Sequence, residues 1–79
     1  MKPQQIKQMI ETKLPGAQAI VQGDGDHFEA IVICNEFVGK TILKQHQMVY
    51  GTLGNSFQSD IHALSIKTYT LKEWDLVPK

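Results

Sequence analysis

Ile61-His62-Ala63-Leu64-Ser65-Ile66-Lys67-Thr68-Tyr69 is the clearest strand in this chain. It alternates in side-chain type, is rich in strand-forming residues, and follows a polar turn at 55–60. A period of two puts His62, Leu64, Ile66 and Thr68 on one face and Ile61, Ala63, Ser65, Lys67 and Tyr69 on the other. A histidine therefore stands at the mouth of the strand, on the face with its largest aliphatic residues. Whether that imidazole is only packed or is used decides the functional reading.

Working backwards, residues 40–57 carry helical spacing: Ile42, His46, Val49, Leu53 and Phe57, supported by Leu43 and Tyr50. The sequence predicts one long helix from Lys40 to about Phe57, weakened by Gly51 and Gly54. Before it, Asn35 to Gly39 is a connection. His27 to Cys34 is a second strand, apolar on both faces in its later half and so expected in the middle of a sheet. Gly23-Asp24-Gly25-Asp26 is a tight turn, and Ala17 to Gln22 is the strand it joins antiparallel to the second. At the start, Pro3 suits a first helical turn, Ile6, Met9, Ile10 and Leu14 form a narrow apolar stripe, and Pro15-Gly16 stops the helix. After the opening stretch, Thr70-Leu71-Lys72-Glu73 fits a capping box, so a short helix carries Trp74.

The predicted order is α-β-β-α-(α)-β-α, an α/β two-layer sandwich with a three-stranded mixed sheet. The right-handed crossover rule makes the second and third strands parallel. If they are neighbours, His27 and His62 begin their strands at one edge of the sheet.

Seventy-nine residues with 42% apolar content make a single domain, 1–79, with one modest core. Formal net charge is zero, and all eight basic residues are lysine. The lack of arginine argues against base reading by guanidinium groups. Cys34 is the only cysteine, which excludes an internal disulfide and a cysteine-only metal site. No apolar run reaches transmembrane length and no signal-peptide pattern is present, so a reducing, cytoplasmic setting is expected.

The chemistry-bearing residues each have a functional and a structural reading. His27 and His62 offer a two-nitrogen metal face, imidazole being a good ligand for iron, zinc or copper. The structural alternative is a hydrogen-bonded strand-end histidine beside a turn residue. His46 lies on the apolar side of its helix and is expected to be partly buried. Cys34 ends an apolar strand and behaves as a small hydrophobe. Gly51-Thr52-Leu53-Gly54 matches the GxxG loop of KH domains in letters, but lacks basic residues between its glycines, and two helix-weakening glycines account for it. Lys40, Lys44 and Lys67 are candidates for a small nucleic-acid-binding patch. No nucleophile, base and oxyanion arrangement marks an enzyme.

Phe37-Val38-Gly39-Lys40, Gln45 to Tyr50 with Leu53, and Ile61 to Thr70 with Trp74 together resemble the BolA family. Gly23-Asp24-Gly25-Asp26-His27-Phe28, followed by Thr68 to Trp74, is most similar to its IbaG-like branch. The resemblance runs from about Gln22 to Trp74. It implies a BolA-like fold related to type II KH domains. It also implies pairing with a monothiol glutaredoxin and a shared [2Fe-2S] cluster. The glutaredoxin cysteine and a glutathione thiolate would hold one side. The position of His62 supplies one ligand on the other side, and a His or Cys between the first two strands, here His27, supplies the second. Imidazole in place of thiolate reduces the negative charge on a cluster and raises its potential, as in Rieske-type sites. Such a protein serves cluster trafficking, maturation or iron sensing, and as an isolated chain is a monomer or homodimer. Some members of the family are transcriptional regulators or stress morphogens, which keeps a KH-like DNA- or RNA-binding regulator as the alternative. Where the family often has arginines beside the His46 position, this chain has Gln45 and Gln47.

Overall fold

The computed structural model describes residues 2–24, 27–54 and 63–78. Helix α1, Pro3–Lys13, begins at the expected proline and buries Ile6 and Ile10. Strands β1, Gln18–Asp24, and β2, His27–Ile33, form an antiparallel hairpin, and β3, Ala63–Tyr69, lies parallel to β2. The sheet order is β1-β2-β3, so the apolar strand is central, as its sequence predicts. A single 3₁₀ turn, Asn35–Phe37, leads to α2, Ile42–Leu53. The short helix α3, Leu71–Asp75, closes the chain with the predicted capping box: Thr70 Oγ1 accepts from the Glu73 N–H at 3.1 Å, and the Thr70 N–H donates to Glu73 at 2.8 Å.

Both long helices cover one face of the sheet. Ile6, Ile10 and Leu14 of the first helical segment meet Phe28 and Val32 of β2 and Val49 and Leu53 of α2, with Leu64 and Ile66 of β3 packed alongside. Alternation leaves His27, Glu29 and Ile31 of β2 and Ala63, Ser65 and Lys67 of β3 on the other face. Among the described residues, that face is covered at one end only. Ile33 is fully buried there, where its register partner Tyr69 packs its ring against Trp74 at 5.3 Å.

Several boundaries differ from the sequence reading. β1 runs to Asp24 rather than Gln22, because the hairpin pairs Gly23 with Phe28 and Asp24 with His27. β2 ends at Ile33, and Cys34 is the fully buried residue after it. α2 begins at Ile42, not Lys40: the Thr41 hydroxyl accepts from the Lys44 N–H at 3.1 Å and caps the helix. Its described part ends at Leu53, with Gly54 at φ 54°; the expected continuation to Phe57 lies outside the described residues.

The buried stripe of α2 also differs. Gln45, Val49, Thr52 and Leu53 are buried, whereas Ile42 and Leu43 are 61% and 69% exposed. Gln45 turns the helix this way. Its Nε2 donates to the carbonyls of Phe37 and Lys40 at 3.2 and 2.9 Å, and its Oε1 accepts from Thr68 of β3. A buried amide with its groups satisfied is tolerated, so the polar residue displaces the apolar one predicted for this face. None of the described helices is long and apolar enough to cross a membrane.

Candidate metal-ligand rim

β2 and β3 are parallel neighbours, as the rim reading requires. His27 opens β2, is exposed, and faces Asp24 on one side and Ala63 on the other in the two ladders. Ala63 is the residue after His62 in the sequence. His62 itself, with Asp26, lies outside the described residues.

The hairpin brings β1 against His27 by a close backbone approach at Gly23. This residue has φ 134°, and a Cβ built on it would fall 2.3 Å from the His27 carbonyl oxygen and 2.8 Å from the Phe28 Cα. Only glycine tolerates both constraints. By its sequence Gly23 belongs to the Gly23-Asp24-Gly25-Asp26 turn. Its role in setting the start of β2 was not legible from the letters, since the turn signal accounts for a glycine equally well.

Phe28, the next residue, is fully buried in the core and anchors the His27 backbone from the opposite face. His27 thus sits on a fixed strand end with its imidazole outside the core. No group of three or more His, Cys, Asp or Glu side chains among the described residues is placed to hold a metal. Cys34 is not at this rim: it follows the opposite end of β2, is buried, and its Sγ lies 3.5 Å from the Pro15 carbonyl. What the rim presents is imidazole. That suits a borderline metal such as iron when further ligands come from elsewhere.

The lysines are placed apart. Lys40 precedes α2 and Lys44 is in its first turn, both exposed on the helical layer. Lys67 stands on the uncovered sheet face. There it lines a shallow depression of about 270 Å³ with Ile20, Gln22, Glu29, Ile31 and Ser65. The Glu29 carboxylate, accepting from Gln22 Nε2 at 3.2 Å, shares that face and opposes anion binding by Lys67. The three lysines therefore do not share one surface.

Gly51-Thr52-Leu53-Gly54 is not a phosphate-clamping loop. Gly51 to Leu53 is helical, Thr52 and Leu53 are buried, and the Thr52 hydroxyl donates to the Val49 carbonyl at 2.6 Å. His46 is half-buried in α2, as the sequence suggests.

The sequence matches the BolA family model, described as BolA-like protein, over residues 2–73. It is 37% identical over 75 residues to the acid stress protein IbaG of Escherichia coli K12, covering 94% of this chain and 89% of that protein. It is 38% identical over 53 residues to the DNA-binding transcriptional regulator BolA of the same organism. That match covers 67% of this chain and spans half the length of the relative. Among solved structures, a bolA protein homologue from Coxiella burnetii superposes with a TM-score of 0.88 at 51% identity, covering 95% of this chain and 97% of that one.

Proposed function

The chain belongs to the BolA-like family, and from that premise we propose that it is a non-enzymatic partner of a monothiol glutaredoxin, sharing a [2Fe-2S] cluster held on this side by His62 and His27. The observation that supports this most is the ladder register, which puts His27 level with Ala63, the residue following His62. Donors from this chain alone make an incomplete site, so the glutaredoxin cysteine and a glutathione thiolate would supply the remainder. When bound, such a cluster supplies one-electron redox chemistry and can be passed on whole. The chain's own contribution is positional. Gly23 and the buried Phe28 fix the start of β2, and with it the backbone of His27. An exposed imidazole at a rim is open to a second protein in a way that the buried Cys34 is not.

The test is anaerobic mixing with a monothiol glutaredoxin carrying its cluster, followed by size exclusion and visible circular dichroism. A coloured one-to-one complex with a changed spectrum is expected for the wild type, and His62→Ala and His27→Ala are expected to alter that spectrum. A cluster left on the glutaredoxin, or spectra identical in all three proteins, would overturn the reading.

The name of the E. coli relative favours a second reading, a DNA-binding regulator. The helical, buried Thr52-Leu53 pair and the separated lysines weigh against it here. It predicts salt-dependent binding to DNA by the cluster-free protein. An affinity no better than that of an unrelated neutral domain would dismiss it.

A further inference from the structure

The two edges of the sheet are unlike. At the β1 edge, the Ala19 N–H donates to Glu11 Oε2 at 2.9 Å, and its carbonyl accepts from Lys7 Nζ at 2.8 Å. Lys7 and Glu11 also pair with each other at 2.6 Å. A strand adding at this edge would have to displace a linked ion pair and the helix that carries it. Natural sheets block edges with charges and covering helices in this way.

Among the described residues, the β3 edge has no such guard. The Cys34 N–H donates to the Tyr69 carbonyl at 3.0 Å, which sets the phase of the parallel ladder. Ala63, Ser65, Lys67 and Tyr69 turn their backbone groups towards β2, and Leu64, Ile66 and Thr68 turn theirs outwards. No backbone hydrogen bond from the described residues reaches those outward groups. The strand has no proline and a single charge, Lys67. An edge of this composition is a template for another strand.

We propose that the free edge of β3 pairs antiparallel with β3 of a second copy of this chain, with Ile66 on the two-fold axis, joining two three-stranded sheets into one. The strand itself identifies the occupant. Reading Ala63–Tyr69 against its own reverse sets Ile66 against Ile66, Leu64 against Thr68, Ser65 against Lys67 and Ala63 against Tyr69. The lone charge meets a hydroxyl and never its own kind. Every outward N–H and C=O of Leu64, Ile66 and Thr68 finds a partner, and those side chains extend the half-buried row on the helical side. A two-fold through Lys67 would oppose two ammonium groups, and one through Ser65 would pair a shorter length.

This interface is independent of the cluster reading. It is small beside the 1,200–2,000 Å² of an ordinary stable contact, so a dissociation constant on the order of 0.1–1 mM is expected.

Sedimentation equilibrium of the full chain from ~20 µM to ~2 mM brackets that range. The wild type is expected to dimerise with rising concentration. Ser65→Lys sets two like-charge pairs across the axis and should weaken the dimer roughly tenfold, whereas Ser65→Glu should tighten it by several-fold. Adding Lys67→Glu to Ser65→Lys restores opposite charges and should recover the dimer. Ser65 is exposed, and its β2 neighbour Glu29 biases folding in the opposite sense, favouring the lysine variant. Recovery of the dimer on adding Lys67→Glu separates loss of the interface from loss of fold. A monomer at every concentration would overturn the proposal and leave the edge to a strand of another protein. Equal constants for Ser65→Lys and Ser65→Glu would overturn it in favour of a different self-contact.

Discussion

Gln45 in α2 accepts a hydrogen bond from Thr68 in β3 while its amide nitrogen holds the carbonyls of Phe37 and Lys40. One buried side chain thus ties the loop before α2, the helix itself and the third strand together. Gln45→Ala leaves two carbonyls and a hydroxyl without partners in a largely buried place. It should cost about 2–4 kcal/mol in chemical denaturation, and Thr68→Val about 1 kcal/mol. Because the two share one network, the double variant should lose less than the sum of the single changes.

Gln45 also shows where the sequence was legible and where it was not. Element order and the Thr70-Glu73 capping box follow from residues near one another in the chain, the parallel crossover from a general rule of handedness, and the central position of β2 from a strand apolar on both faces. The orientation of α2 follows from none of these. By hydropathy, Ile42 outranks Gln45 for the core. Only the carbonyls of Phe37 and Lys40 and the hydroxyl of Thr68, supplied by other segments, make the amide the better inward residue. The start of that helix lies two residues later than Lys40 because Thr41 caps it, and the apolar pattern itself begins only at Ile42. At the rim, topology alone levelled His27 with the start of β3. The pairing of His27 with His62 as ligands rested on family resemblance, since two histidines without diagnostic spacing carry a weak signal.

Gly23 makes a prediction about His27. An added methyl would meet the His27 carbonyl at 2.3 Å and would hold a φ of 134° that L-residues rarely adopt. Gly23→Ala should cost at least 2–3 kcal/mol of stability, through the clash and the backbone conformation together. Amide shifts in a two-dimensional NMR spectrum should move most at residues 27 and 28. Conversely, His27→Ala removes an exposed side chain and should change the denaturation midpoint little, within about 0.5 kcal/mol.

Glu11 gives the fold an acid-sensitive contact. The Lys7 ammonium, and then the Ala19 N–H, hold its carboxyl below the ordinary carboxylate value of 4.5. The folded protein therefore releases this proton more readily than the unfolded chain does. Its stabilisation is present at neutral pH and is lost as the pH falls from about 4.5 through the lowered folded value. The pair is partly exposed, so its worth is below about 1 kcal/mol. Glu11→Gln should lower stability slightly at pH 7 and flatten the dependence below pH 4.5 in acid titrations followed by circular dichroism.

Thr52 separates the two readings of the Gly51–Gly54 segment. If this were a nucleic-acid clamp, a lysine between its glycines would strengthen binding. In the structure Thr52 is buried and its hydroxyl is bonded within α2. Thr52→Lys must bury an ammonium group or unwind the last turn of the helix, at a cost of about 3 kcal/mol or more. A domain of this size has roughly 5 kcal/mol to lose, so the variant should be close to unfolding and should gain no affinity for DNA or RNA. Gln47→Lys adds the same charge at an exposed position of the same helix and should remain folded. Denaturation and gel-shift measurements on the two variants together distinguish a general effect of charge from a loop poised to grip phosphate. A stable Thr52→Lys protein that binds more tightly than Gln47→Lys would reinstate the clamp.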